Sequence, residues 1–329
     1  MSIVSVRQRG RDSTAGRGGA SVLNHASPPP LPTRLPLDLR AAVLVLGLCV
    51  IWGLQPVVMK SIATDITAAM QLAVRFSGAS IFFGIWLLTR EGPKTFGDGT
   101  LPSGILLGLM FTLEFLLLAE ALNHTTASHA IVFLYSAPIF TALGLQFLPE
   151  ERMRRLQWAG IAVAFLGIII AFLGHSGRTA TELVRGDLFA LLAGVAWGLS
   201  NVVLRRGRVG NGSTAKTVFY QVSVAAILML SFCAMSGQLG VVASPRVVLA
   251  LVYHTVGVAI TSYLVWFWLL RRYLTSRLML LSLLTPLFGV VFGALLLGDP
   301  INLRFGVGSV LVLGGILAVN ARQLLQRGS

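Results

Sequence analysis

From about residue 40 to residue 322 the chain is a succession of long apolar stretches separated by short polar connections. The stretches run over 40–59, 67–89, 101–122, 127–148, 156–174, 187–205, 214–236, 247–270, 277–298 and 303–322. A stretch of about 20 residues, rising about 1.5 Å per residue as a helix, crosses about 30 Å of hydrocarbon. Within each stretch apolar residues follow one another without a two-residue alternation, which excludes a membrane β-barrel. In lipid each backbone N–H and C=O needs a partner inside its own segment, so these stretches are helices. The pattern predicts an all-α membrane protein of ten transmembrane helices.

Charge turns the count into an orientation. Of the 26 Lys and Arg residues, twenty fall on one side of the predicted membrane, five on the other, and Arg75 lies inside a helix. An even number of crossings, with both termini in the cytoplasm, puts the rich side inside at every loop. An odd number would reverse the later loops. This arrangement predicts a multi-pass protein of a bacterial inner membrane.

The net charge of +14 does not form one basic face, so no nucleic-acid partner is expected. Only 12% of the residues are charged, about half the usual share of a soluble domain. Cys49 and Cys233 each sit inside an apolar stretch, and the five His are scattered; neither gives a disulfide framework or a metal spacing. No GxxxxGK[ST] loop is present. No cofactor or metal is expected; the partners are the bilayer and a small-molecule solute, with the oligomeric state left open. Residues 1–36, rich in Arg, Gly, Ser and Pro, read as a disordered basic tail or as residues ahead of a later start.

The chain repeats itself. One separation of 148 residues aligns Pro138 with Pro286, Glu151 with Asp299, Gly160 with Gly308 and Gly167 with Gly315. A separation of 145 aligns Trp52-Gly53 with Trp197-Gly198 and Lys60 with Arg205. The halves, 40–174 and 187–322, each hold five crossings. An odd number makes the second half start on the opposite side from the first. Such inverted repeats are typical of transporters that alternate access around a midplane site.

Taken in order, several features resemble the EamA-like transporters of the drug/metabolite transporter superfamily. They are the two Trp-Gly pairs, Arg75-Phe76, the stretch from Ala121 to Ala130 leading to Pro138, Glu150-Glu151, Gly-Asp-Leu at 186–188, and the Pro286, Asp299, Gly308 echo. The resemblance covers about residues 40–322. It implies a five-plus-five inverted fold with cytoplasmic termini, and outward transport of metabolites such as amino acids or related compounds. Glu114 and Glu120 within the third stretch depart from it.

A charge in hydrocarbon costs at least about 2.5–3.5 kcal/mol, so each one there needs a partner, a cavity or a function. Arg75 offers a fixed fork suited to a carboxylate; its alternatives are an ion pair with Glu114 or Glu120, or snorkelling. Glu114 is the candidate proton carrier, while Glu120, about 600° of helical rotation away, reads as an interfacial acid. His124, His129 and His254 read as outer-side groups facing water. Gln55, Asn201 and Gln221 are either solute contacts or hydrogen bonds between helices. Trp52, Tyr135, Trp197, Tyr263 and Trp266 are candidates for an aromatic cavity wall. Pro138 and Pro286, mid-helix, are expected to kink their helices as hinges. Glu150, Glu151 and Asp299 read as caps or partners of neighbouring Arg. No nucleophile-and-base pair or metal constellation is evident, so an enzyme is not expected. The alternatives to transport are a membrane-embedded enzyme acting on lipid, or a membrane protein that moves no solute.

Overall fold

The computed structural model describes residues Leu35, 38–147, 155–172, 180–206, 213–273, Leu278 and 281–325. The N-terminal tail through Arg34, and Glu150 and Glu151, lie outside the described residues. The described chain is helical, and among the described residues the only β pairings are two isolated bridges, Leu35 with Tyr273 and Ile66 with Val241.

In chain order the helices are α1 (Leu39–Ser61), α2 (Ala68–Arg90), α3 (Leu101–His124), α4 (Ala127–Leu145), α5 (Arg155–Phe172), α6 (Ala180–Arg206) and α7 (Thr214–Met235). Next come α8, formed by Pro245–Val252, a π-helical segment Tyr253–Thr261 and Ser262–Arg272, then α9 (Thr285–Phe292) with a π turn to Leu297, and α10 (Leu303–Leu325). Polar caps start many of them. Asp38 accepts Ala41 N–H at 2.7 Å, Thr67 accepts Met70 N–H at 3.2 Å, and Ser244 accepts Val247 N–H at 3.2 Å. Each cap satisfies an N–H that the first helical turn leaves unpaired.

Among the described residues, seven helices are long and apolar enough to cross a membrane: α1, α2, α3, α4, Thr181–Leu204 within α6, α7 and Pro245–Leu269 within α8. The apolar parts of α5, α9 and α10 are shorter, Trp158–Ala171, Thr285–Leu297 and Leu303–Ala318. Large apolar side chains such as Ile81, Ile85, Leu88, Leu295 and Val310 point outward. They make the apolar exterior of a multi-pass membrane protein.

Two expectations need correction. The sixth helix starts at Ala180 rather than 187. Its added turn carries Glu182, an acid favoured at a helix N-terminus, which His124 of α3 contacts at 2.6 Å. Secondly, Pro138 and Pro286 do not sit mid-helix. The chain turns at Tyr135-Ser136 and at Leu283-Leu284, and each proline occupies the first turn of the segment that follows. There its missing N–H costs nothing, so the helix is broken rather than kinked. The two breaks are 148 residues apart, the separation of the sequence repeat.

The halves α1–α5 and α6–α10 interlock. The most extensive packing runs between them: α5 on α10, α3 on α6, α2 on α7, α1 on α9, and α4 on α6 and α9. The contacts are reciprocal. A Cβ on Gly53 of α1 would lie 2.9 Å from Phe288 Cβ and 3.0 Å from Thr285 O, and one on Gly198 of α6 would lie 2.7 Å from Phe140 Cβ and 2.8 Å from Ala137 O. At the crossing of α5 and α10, a Cβ on Gly308 would lie 2.6 Å from Gly167 O, and one on Gly315 would lie 2.5 Å from Gly160 O. The glycines aligned in sequence are thus exchanged partners in space, and their missing side chains set the approach of the backbones. Away from this crossing, Lys216 of α7 ties down the α2–α3 connection through Asp98 at 2.7 Å. Hydrogen bonds from Lys216 and Thr100 hold the Asp98 carboxyl down to about 2.

Gly308→Val is expected to lower the melting temperature of the detergent-purified protein, since a clash with backbone cannot relax cheaply and overpacking costs about 1–3 kcal/mol. Gly306→Val is its control, because nothing lies within 4 Å of the added Cβ. Equal melting temperatures for the two variants would contradict the close crossing.

Candidate functional site

The interior holds two opposite charges that form no direct ion pair. Arg75 of α2 is 1% exposed and Glu114 of α3 is 5% exposed. The guanidinium lies over the rings of Phe76 and Phe115, 4.8 Å from each centroid, and Phe111 packs on both rings. Cation–π attraction to two desolvated rings offsets part of the cost of burying the charge. The rings take up no N–H, however. Arg75 Nε and Nη1 have no acceptor, and Glu114 Oε2 has no donor. The two side chains interact electrostatically and both face the Tyr263 hydroxyl of α8, yet they form no ion pair. Glu120 is engaged elsewhere, with His124 at 3.0 Å and Asn123 at 3.2 Å. The sequence-based alternatives for Arg75, an ion pair with either acid or snorkelling outward, are therefore not what the structure adopts.

The helix breaks border this cluster. Tyr135, at the break in α4, interacts with Thr285, at the break in α9, and with Cys49, Glu114 and Tyr263. Tyr135 and Tyr263 both pack on the main apolar core yet stay partly accessible. Trp197 meets Tyr135 edge-on at 5.3 Å. Trp52 donates its indole N–H to Ser262 at 2.8 Å and meets Trp266 at 5.5 Å. Arg75, Glu114, Tyr135 and Tyr263 thus come together, with Trp52 and Trp197 flanking them. Asn201 instead donates to Thr141 at 3.3 Å, joining α6 to α4. Gln55 and Gln221 are half-buried, and no contact ties them to the cluster.

Two further buried polar groups were not among the expected site residues. His254, expected to face water, is 1% exposed with neither ring nitrogen partnered. Gln71, one helical turn before Arg75, donates to Met59 O and Ile66 O at 3.0 Å each while its own Oε1 is left unpaired. The signal available was a polar residue inside an apolar stretch, though only a few residues from its end.

At the end of the bundle that holds the α3–α4 turn, a second polar group joins the halves. Ser128 donates its N–H and Oγ–H to Asp299 at 2.9 and 2.8 Å. His129, buried rather than solvated, lies 2.8 Å from Asp187 and stacks on Phe305 at 3.8 Å. Thr125 donates to Asp187 as well. Lys60 donates to Leu122 O at 3.1 Å and to Thr125 O. Asp299 is therefore a cap, as expected, but for a helix of the other half rather than for a neighbouring Arg. Among the described residues no group of His, Cys, Asp and Glu is arranged to hold a metal ion.

The chain is similar to known proteins over most of its length. The chain is 28% identical over 291 residues to a "Probable amino-acid metabolite efflux pump" of Escherichia coli strain K12, covering 84% of this chain and 93% of that protein. The Salmonella typhimurium protein with the same description is also 28% identical, over 288 residues, covering 83% of this chain and 92% of that protein. An "Uncharacterized transporter" of Archaeoglobus fulgidus is 25% identical over 256 residues, covering 76% of this chain and 86% of that protein. A solved structure titled "Crystal structure of protein" matches with a TM-score of 0.60 at 19% identity, covering 88% of this chain and 99% of the other, and shows the common fold. The model of the EamA-like transporter family matches twice, over residues 39–173 and 184–321, once in each half. With both halves matched and the interlocked helices in place, the chain belongs to the EamA-like transporter family and is a membrane transporter.

Proposed function

We propose that this protein is a secondary transporter of a bacterial inner membrane that exports small metabolites, amino acids or related compounds, by alternating access. In this reading the chain crosses the membrane ten times with both termini in the cytoplasm, as two inverted five-helix repeats over 40–174 and 187–322. The observation that carries it is the set of polar atoms left unpaired around Arg75 and Glu114, where α2, α3 and α8 meet beside the breaks of α4 and α9.

An unpaired buried donor or acceptor costs about 1–3 kcal/mol, more when charged. A protein keeps such groups where a ligand completes them. Each free donor of Arg75, Nε and Nη1, can take a carboxylate oxygen with charge assistance, and Glu114 suits an ammonium group or a proton. The aromatic rings of Trp52, Tyr135, Trp197 and Tyr263 form the wall. Pro138 and Pro286 act as hinges, because each begins a segment beside a break. Energy comes from a proton gradient or from the solute's own gradient. The Asp299, Asp187, His129 and Lys60 network supports a closed outer side in this conformation; opening that side means parting groups that now satisfy one another across the halves.

In proteoliposomes preloaded with solute, wild-type protein should exchange labelled amino acids. Arg75→Lys should lower exchange of carboxylate-bearing solutes at least about tenfold, since a compact ammonium cannot place donors where the fixed planar guanidinium does, and should lower exchange of amines lacking a carboxylate less. Equal losses for both would make Arg75 structural. Glu114→Gln should abolish accumulation driven by a pH gradient while leaving exchange at equal pH intact. Undiminished pH-driven accumulation in that variant would remove Glu114 from coupling.

A further inference from the structure

We infer that His254 is a specificity-determining contact in this site, where its neutral imidazole reads a hydroxyl or amide group on the transported solute. The inference rests on the transport reading above and deepens it. His254 belongs to α8, in the π-helical segment Tyr253–Thr261. Its side chain is 1% exposed, and both Nδ1 and Nε2 lack a hydrogen-bond partner. A neutral imidazole carries one donor and one acceptor. Leaving both unpaired in a helix bundle costs stability that an apolar residue of similar shape would avoid.

The backbone around the ring is pinned. Tyr253 donates its hydroxyl to Ile51 O of α1. On the next residue, Thr255 Cγ2 lies where a Cβ on Gly78 of α2 would be, 2.5 Å from that position. The ring meets Tyr253 edge-on at 5.2 Å, and Arg75, one turn before Gly78 on α2, interacts electrostatically with it. Turns of π-helix recur at functional sites because the wider turn re-aims a side chain. Here the widened turn lies next to the same helix that carries Arg75. Arg75 takes the charged end of a solute. Glu114, on another helix, is the second charged contact. His254 supplies a third contact of different chemistry, uncharged and able both to give and to accept a hydrogen bond. Sites built to hydrogen-bond a solute group discriminate strongly against analogues that lack it, because the protein's own buried group is then left unpaired.

The test compares wild type, His254→Phe, His254→Leu and His254→Gln in proteoliposome exchange. The labelled probes are L-serine, L-threonine and L-asparagine on one side, and L-alanine and L-valine on the other. The melting temperature of each ligand-free protein is measured in parallel. His254→Phe and His254→Leu should raise KM for the hydroxyl and amide solutes at least about tenfold relative to the KM for L-alanine. Their ligand-free melting temperatures should equal or exceed the wild-type value, and His254→Gln should retain part of the preference. An active wild type whose ratio of KM values is unchanged in both apolar variants overturns the role of His254 alone. Loss of folded protein in both apolar variants overturns it too, by making the ring a structural requirement. A wild type that exchanges none of the five probes overturns the amino-acid reading and this inference together.

Discussion

In hydrocarbon a polar group that finds no partner inside the protein finds none at all, and most of this fold follows from that constraint. The backbone meets it by forming helices over every apolar stretch. Where a helix must begin or break, side chains step in: Asp38, Thr67 and Ser244 cap their helices, and Ser136 donates to Phe133 O at the break of α4. Lys60 covers carbonyls at the end of α3, and Asp299 caps α4 from the other half. Against this nearly complete pairing the exceptions are local. Arg75, Glu114, His254 and Gln71 hold the unpaired buried side-chain atoms found among the described residues, on three helices that meet next to the paired helix breaks.

The halves supply the means of change. Their packing lies mainly across the interface between them, through contacts that repeat with partners exchanged. Glycines let α5 and α10 approach at backbone distance, and Gly53 and Gly198 each admit the segment after the opposing break. In the proposed alternating access the two copies of this packing pattern trade roles, with the buried polar cluster at their junction. This is why the breaks of α4 and α9, rather than the intact helices, are the expected places of movement.

Much of the fold was legible because hydropathy and repeat are both read along the chain. The helix ends agree with the apolar stretches to within about three residues for most elements. The exceptions have local causes: Glu182 extends α6 beyond the apolar run, and the chain turns before Pro138 and Pro286 rather than at them. The site was legible in part. Arg75, Glu114, Tyr135 and Tyr263 announced themselves as polar or aromatic residues at membrane depth. Asn201 did not join them, because Thr141 of a neighbouring helix is its partner. His129 and His254 were assigned to water, since their position near the ends of stretches hid how closely other helices cover them. Burial by a partner helix is a property of packing, and no single stretch encodes it.

The central claim is that the unpaired atoms of Arg75 and Glu114 are completed by the transported solute. The most direct measurement is an experimental structure in lipid nanodiscs with a solute that the protein exchanges. Solute density is expected within hydrogen-bond reach of Arg75 Nε or Nη1, near the rings of Tyr135 and Tyr263 and on the Glu114 side of the guanidinium. A structure with Arg75 and Glu114 bonded directly to each other and the solute bound elsewhere would contradict it.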